Sequence, residues 1–235
     1  MTLGEVMKSL QEMGTEQTKQ TFIRHGAQEP LFGVKVGYLK KLVKPVKKDQ
    51  NLALALYETG NSDAMYLAGL TVNPQTMSKE TLLTWAQQAN WYMLSEYTVA
   101  GAAAESRFAL ELAREWIESD QEWIAACGWS TYANYISITS NEQLDINEIR
   151  GLLKRIEATI HEERNRVRYV MNSFVIVTGS SVESLHEVAM ETAAAIGKVH
   201  VDVGRTACKV PLAADYIRKV AAAAKLGTKK KTCIC

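Results

Sequence analysis

The sequence predicts an all-α fold in which antiparallel helix pairs stack into a curved α-α superhelix, and three observations carry that prediction. A unit recurs along the chain: a charged amphipathic helix, a short turn, then a second helix nearly free of charge and rich in aromatic and small residues. Two such second helices, Asn90 to Ser106 and Gln121 to Ser137, set Trp and Tyr among Ala, Gly and Ser, a composition suited to helices pressed between neighbours. Connections as short as Ser119-Asp120 demand antiparallel neighbours. A single hairpin of this kind cannot bury its own apolar face, so stacking is required, and a solenoid offers a concave surface for binding.

Apolar periodicity places the early helices near Leu3 to Met13, Glu16 to His25, Gly37 to Lys48 and Gln50 to Thr59. Asn61-Ser62-Asp63 offers a cap for a helix from Ala64 to Val72, which Asn73-Pro74 stops because a residue before proline disfavours the helical region. The regular pairs follow: Lys79 to Ala89 with Trp91 to Glu105, Arg107 to Glu118 with Gln121 to Ile136, and Asn147 to His161 with Asn165 to Thr178. Val182 to Ile196 and Ala213 to Lys225 form the last pair. This arrangement follows the pattern of HEAT-like repeats. Between Lys198 and Pro211 the alternating Val residues fit either a short extended stretch ending at Gly204 or an irregular loop. Residues 1–228 are read as one domain, and 229–235, with three adjacent lysines, as a basic mobile tail.

Composition narrows the function classes. With 235 residues and 47% hydrophobic content the chain can bury a sizeable core, while 27 basic against 26 acidic residues give a net charge of +1. Bulk charge therefore makes no case for nucleic acid, which must rest on how the charges are distributed. No apolar run approaches the roughly 18 residues of a membrane span and the start lacks a secretory core, so a cytoplasmic protein without membrane contact is expected, as a monomer. Cys127, Cys208, Cys233 and Cys235 are spaced unlike a disulfide framework, and reduced thiols are expected.

Phosphate-cradling glycine loops, HExxH, nucleophile elbows and CxxC pairs are absent, and Cys233-Ile234-Cys235 is too closely spaced for a zinc site; no metal and no cofactor is expected. Arg164, Arg168 and Asn172 recur at four-residue spacing and should share a stripe, with Arg166 beside them and Arg150, Lys154 and Arg155 on the preceding helix. Guanidinium groups there fit a phosphate or carboxylate clamp, and equally fit pairing with Glu157, Glu162 and Glu163. A second basic cluster, Lys35, Lys40, Lys41, Lys44, Lys47 and Lys48, surrounds Tyr38, Leu39, Leu42 and Val43; phosphate contact and a solvated helix face both account for it. Trp85, Trp91, Trp116, Trp123 and Trp129, with Tyr92, Tyr97, Tyr132 and Tyr135, offer more ring area than packing needs. Trp116 reads as core, and Trp91, at a helix start, as core or as a base-stacking surface.

The segments LFGVKVGYLKKLVK, ALALYETGNSDAMYLAGLTVNPQTMSKETLLTWAQQANWYMLSEYTVAGAAAE, NRVRYVMNSFVIVTG and VDVGRTACKVPLAADYIRKV resemble the DNA alkylation repair proteins of the AlkD-like HEAT-repeat type, over nearly the whole chain. The resemblance implies a helical solenoid binding duplex DNA in a positively charged concavity and, in active members, excision of cationic N3- or N7-alkylated purines. Aromatic faces hold such a cation, and a carboxylate stabilises the developing oxocarbenium. Active members carry a Trp followed four residues later by an Asp, and an Arg from the next hairpin. Trp91 matches the Trp, but Ser95 stands at the Asp position, and the Arg position falls near Ala126 or Cys127. Glu96, four residues after Tyr92, is the remaining candidate carboxylate, and Arg164 or Arg168 the nearest candidate guanidinium. The expectation is thus a DNA-binding protein with DNA contacts from Trp91, Tyr92, Ser95, Arg164, Arg166, Arg168, Asn172, Lys40 and Lys41 and, if it is a glycosylase, a catalytic Glu96; the alternative is a non-catalytic scaffold for DNA or a protein partner.

Overall fold

A computed structural model describes residues 1–47 and 49–234; Lys48 and Cys235, both named above, lie outside the described residues. Thirteen α-helices account for most of the described chain, and no strand occurs among the described residues, so the segment after Lys198 is irregular loop rather than extended pairing. No described helix is long and apolar enough to cross a membrane. The chain forms two compact units, one from Met1–Phe108 with Val203–Ala207 and Ile234, the other from Ala109–Asp202 with Cys208–Cys233.

In the first unit the helices are α1 Leu3–Met13, α2 Glu16–Arg24, α3 Val36–Val46, α4 Gln50–Glu58, α5 Ser62–Thr71, α6 Lys79–Gln88 and α7 Ala100–Glu105. Side-chain caps set the starts: Thr2 with Glu5 forms a capping box on α1, and Thr15, Asp49, Asn61 and Ser78 each accept a backbone N–H of the first turn. Leu39, Leu42 and Val46 give α3 one buried face, while α5 is buried along nearly its whole length. Tyr57 stacks on Trp85 with centroids 3.9 Å apart and donates its hydroxyl to the Trp85 carbonyl at 2.7 Å.

Between α6 and α7 the chain departs from the regular helix the sequence predicts over Trp91 to Glu105. Met93–Val99 is a π-helix, marked by the Ala100 N–H reaching back five residues to the Ser95 carbonyl. The Thr98 hydroxyl donates to the Met93 carbonyl at 3.3 Å across the widened turn. This segment packs against α5, where Gly69 lies so close to Thr98 that an added Cβ would stand 3.2 Å from its Cα.

The second unit holds α8 Ala109–Ile117, α9 Glu122–Ile138, α10 Ile146–Thr159, α11 Asn165–Ser181, α12 His186–Ile196 and α13 Ala213–Ala222. Its core gathers Trp129, Tyr132 and Phe174, with the Trp129 and Phe174 rings edge to face at 5.3 Å. Gly128 lets α9 lie against the end of α8: a Cβ there would meet the Ile117 nitrogen at 2.6 Å and the Trp116 carbonyl carbon at 2.8 Å. Residues of the segment expected to be a mobile tail hydrogen-bond to α9. The Lys230 N–H donates to the Ser137 carbonyl at 2.8 Å, the Lys229 ammonium to the Ile136 carbonyl at 2.9 Å, and the Cys233 thiol to the Asn134 carbonyl at 3.6 Å. The last four carbonyls of a helix lack intrahelical partners, and Lys229 and Lys230 supply two of them. Cys127 is buried, Cys208 exposed and Cys233 half-buried.

Candidate nucleic-acid interface

The residues around Trp91 illustrate how local geometry reshapes a motif read at regular helical spacing. Trp91 is 4% exposed; its indole N–H donates to the His25 carbonyl at 2.9 Å and its ring packs 5.2 Å from Phe22. An indole whose donor is satisfied inside the protein is a packing residue, not an open platform. Because i→i+5 bonding adds a residue to the turn, Ser95 and Glu96 both face inward, at 0% and 5% exposure, while Tyr97 is exposed and Tyr92 half-buried. The Glu96 carboxyl is therefore enclosed rather than presented to solvent. A cleft of about 10 Å³ lies beside Trp91, lined by Phe22, Leu39, Asp63, Tyr66 and Met93 among others, which is room for about one water and not for a base.

Asp63, in the same cleft, was legible in the sequence only as part of a cap. Its carboxylate is buried and accepts three backbone N–H groups, from Phe32 at 2.6 Å, Gly33 at 3.0 Å and Val34 at 2.8 Å. Gly33 takes a left-handed φ of +79°, which L side chains rarely adopt, and so helps bring the three donors round one carboxylate. Burial pushes the Asp63 carboxyl above its ordinary range, against those N–H donors, which pull it down. The clamp ends two residues before α3 and fixes where that helix starts.

On α3 the buried stripe of Leu39, Leu42 and Val46 leaves the opposite face to Lys40, Lys41 and Lys44, flanked by Lys35 and Lys47, all exposed. Residues 31–47 contain no carboxylate, and among the described residues none of these five ammonium groups joins an ion pair. Helical spacing puts Lys40, Lys44 and Lys47 in one row of roughly 10 Å, the span of about three phosphates along one strand. Tyr38, 43% exposed, shares this surface, with the Lys41 ammonium 4.9 Å from its ring centre.

In the second unit the arginines are mostly committed to the protein itself. Arg164 precedes α11 and donates to the Ser119 carbonyl at 3.0 Å and to that of Asp120, bracing the turn between α8 and α9. The Arg166 N–H donates to the Glu122 carboxylate at 2.6 Å, and its guanidinium lies over Tyr169 at 4.4 Å. Arg168 donates to Asn165 at 3.4 Å. Asn172 is 1% exposed and donates to the Pro211 carbonyl at 3.0 Å, so the predicted stripe turns inward at its far end. Arg155 pairs with Glu118 and lies over Trp129 at 5.7 Å. None of these arginines pairs with Glu157 or Glu162 among the described ion pairs; Arg164 approaches Glu163 at 3.8 Å.

A further network was not anticipated from spacing. Glu148 accepts Arg114 in bidentate fashion, at 2.7 Å on each oxygen, and the buried Tyr132 hydroxyl at 2.7 Å. The Arg114 hydrogen bonds, then that of Tyr132, hold the Glu148 carboxyl below its ordinary range despite partial burial. Burial and the Glu148 contact push the Tyr132 phenol well up. No three His, Cys, Asp or Glu side chains converge as metal ligands do among the described residues.

Comparison with known proteins follows the same lines. Residues 6–210 match the family model of the DNA alkylation repair enzyme. Uncharacterized protein Lmo0209 of Listeria monocytogenes is 37% identical over 225 residues, covering 93% of this chain and 97% of its own length. Uncharacterized protein Lin0241 of Listeria innocua is 36% identical with the same coverage. A solved structure described as a new family of proteins related to the HEAT-like repeat DNA glycosylases, with affinity for branched DNA structures, matches at a TM-score of 0.91. It is 36% identical and covers the whole of both chains.

Proposed function

We propose, from the premise that this chain belongs to the DNA alkylation repair family, that it is a DNA-binding protein that engages branched DNA through basic surface helices and does not excise bases. One observation carries the reading: five exposed lysines on and around α3, free of ion pairs among the described residues and spaced to follow a phosphate backbone. The affinity for branched DNA of the structurally similar relative supports the choice of DNA form.

The non-catalytic half of the reading rests on the Trp91 region. Ser95 has no charge to stabilise an oxocarbenium, Glu96 is enclosed, and the adjoining cleft is far smaller than a purine. A base flipped out of the stack needs a pocket that holds it.

The test is a titration of a labelled four-way junction and a linear duplex of equal length, followed by anisotropy over a range of KCl. The expected result is tighter binding to the junction, with affinity for both falling steeply as salt rises. Binding that ignores salt, or is absent, refutes the DNA reading. In parallel, duplex carrying methylated purines should release no free base; release by the wild-type protein overturns the non-catalytic half alone.

A further inference from the structure

Tyr38 stands out on the basic face as an exposed aromatic ring that the core does not use. It sits in the first turn of α3, beside Gly37, where an added Cβ would meet open space, and three residues before Lys41, whose ammonium approaches its ring. Lys35 and Lys41 stand three residues to either side of it on the helix, and 43% of the residue stays exposed, so packing against the apolar stripe covers only part of it. The helix that carries it is held at its start by the Asp63 clamp and along its inner face by Leu39 and Leu42. The ring is thereby presented on a braced element instead of a loose loop.

We propose that Tyr38 stacks on the bared face of a nucleobase at a DNA branch point while Lys41 holds the adjacent phosphate, making Tyr38 the residue that discriminates branched from continuous duplex DNA. The inference rests on the DNA-binding reading above. In continuous duplex both faces of each base are covered by neighbouring pairs, and a surface ring has only backbone to touch. At a junction, fork or flap the stack is interrupted and a π face becomes available. Every base has such a face, so the contact selects for DNA form and not for sequence. The lysines act differently: phosphates are equally present in every form, and Lys40, Lys44 and Lys47 contribute to all of them alike. A cation beside the ring also fits this pairing, since a base and its own phosphate are joined by one sugar and must be bound together.

The experiment measures affinities of wild type, Tyr38→Ala, Tyr38→Phe and Lys41→Ala for a four-way junction, a single-strand flap and a linear duplex, at fixed ionic strength. Tyr38→Ala should lose roughly tenfold on the branched forms and almost nothing on duplex, and Tyr38→Phe should retain wild-type selectivity. Lys41→Ala should weaken all three by similar factors. A 2-aminopurine placed at the branch point should be quenched on binding by wild type and Tyr38→Phe but not by Tyr38→Ala. An unchanged ratio of branched to duplex affinity in Tyr38→Ala, or an equal loss on all forms, overturns the stacking role while leaving DNA binding intact. If the wild type binds none of the three, the underlying reading fails instead. Tyr38 is exposed, and unchanged thermal unfolding of each variant separates these outcomes from misfolding.

Discussion

Replacing Gly128 by Ala measures how closely α8 and α9 pack, and the outcome is calculable from the structure. The new Cβ would lie 2.6 Å from the Ile117 nitrogen and 2.8 Å from the Trp116 carbonyl carbon, where ordinary contact begins at 3.4 Å. Both neighbours are backbone and cannot swing aside, so the two helices must part by roughly 0.6–0.8 Å, an overpacking strain that costs about 1–3 kcal/mol. Alanine also favours the helix over glycine by about 1 kcal/mol, which offsets part of that strain. Gly151 provides the reference, because it is an exposed residue within α10 whose Cβ would meet nothing within 4 Å. Gly151→Ala should therefore be stabilised by about 0.5–1 kcal/mol, and the difference between the two variants isolates the clash at about 1–3 kcal/mol. Urea unfolding followed by circular dichroism gives both values with the same slope assumption. Equal stabilisation in the two variants would show that α8 and α9 yield freely, and the close-packing argument would fail.

Replacing Lys40 and Lys41 together by Gln should reduce the slope of log affinity against log salt by about 1.8 for duplex DNA, if both release counterions; an unchanged slope places the phosphate contacts elsewhere. Two carboxylates should respond to pH in opposite senses. Glu148 is held below its ordinary 4.5, so its contribution is present above that value and is lost as pH falls through the lower, folded one; the stability gap between wild type and Glu148→Gln should close in acid. Asp63 is raised above its ordinary 3.8, so its contribution is complete below that value and is lost as pH rises through the folded one. The gap between wild type and Asp63→Asn should widen in acid, and thermal unfolding of both pairs between pH 3.5 and 7 checks the two signs. Tyr132→Phe, which removes one hydrogen bond to Glu148, should cost about 1–2 kcal/mol in urea unfolding, and a loss near zero would mean that Arg114 alone satisfies the carboxylate.

Where the determinants were local, the sequence sufficed. Helix α1 runs from Leu3 to Met13 as its periodicity requires, because Thr2 and Glu5 set one end and Gly14 the other within the helix's own reach. Asn61 likewise marks the start of α5, accepting the N–H groups two and three residues on. Trp116 is core, as its place between Leu112 and Ile117 implies. Distant partners account for what was hidden. Trp91 is seated by the His25 carbonyl 66 positions earlier, Arg164 is drawn to carbonyls 44 and 45 positions earlier, and Lys229 finds the Ile136 carbonyl 93 positions away. No periodicity encodes such pairings. The lysines of α3 needed no partner, and their exposure follows from the apolar stripe alone.

The π-helical turn at Met93–Val99 makes the facing of the wall between Trp91 and the alanines of α7 depend on its length. Losing one residue there would heal the segment into an ordinary helix, yet it would swing one flank about 100° around the axis relative to the other. Either the indole would leave its seat beside Phe22, or Ala100 through Ala104 would rotate out of the interior they now fill. A single inserted or deleted codon is thus enough to turn an inward carboxyl outward, and kinship judged by counting residues from the tryptophan will misplace whatever lies beyond the bubble.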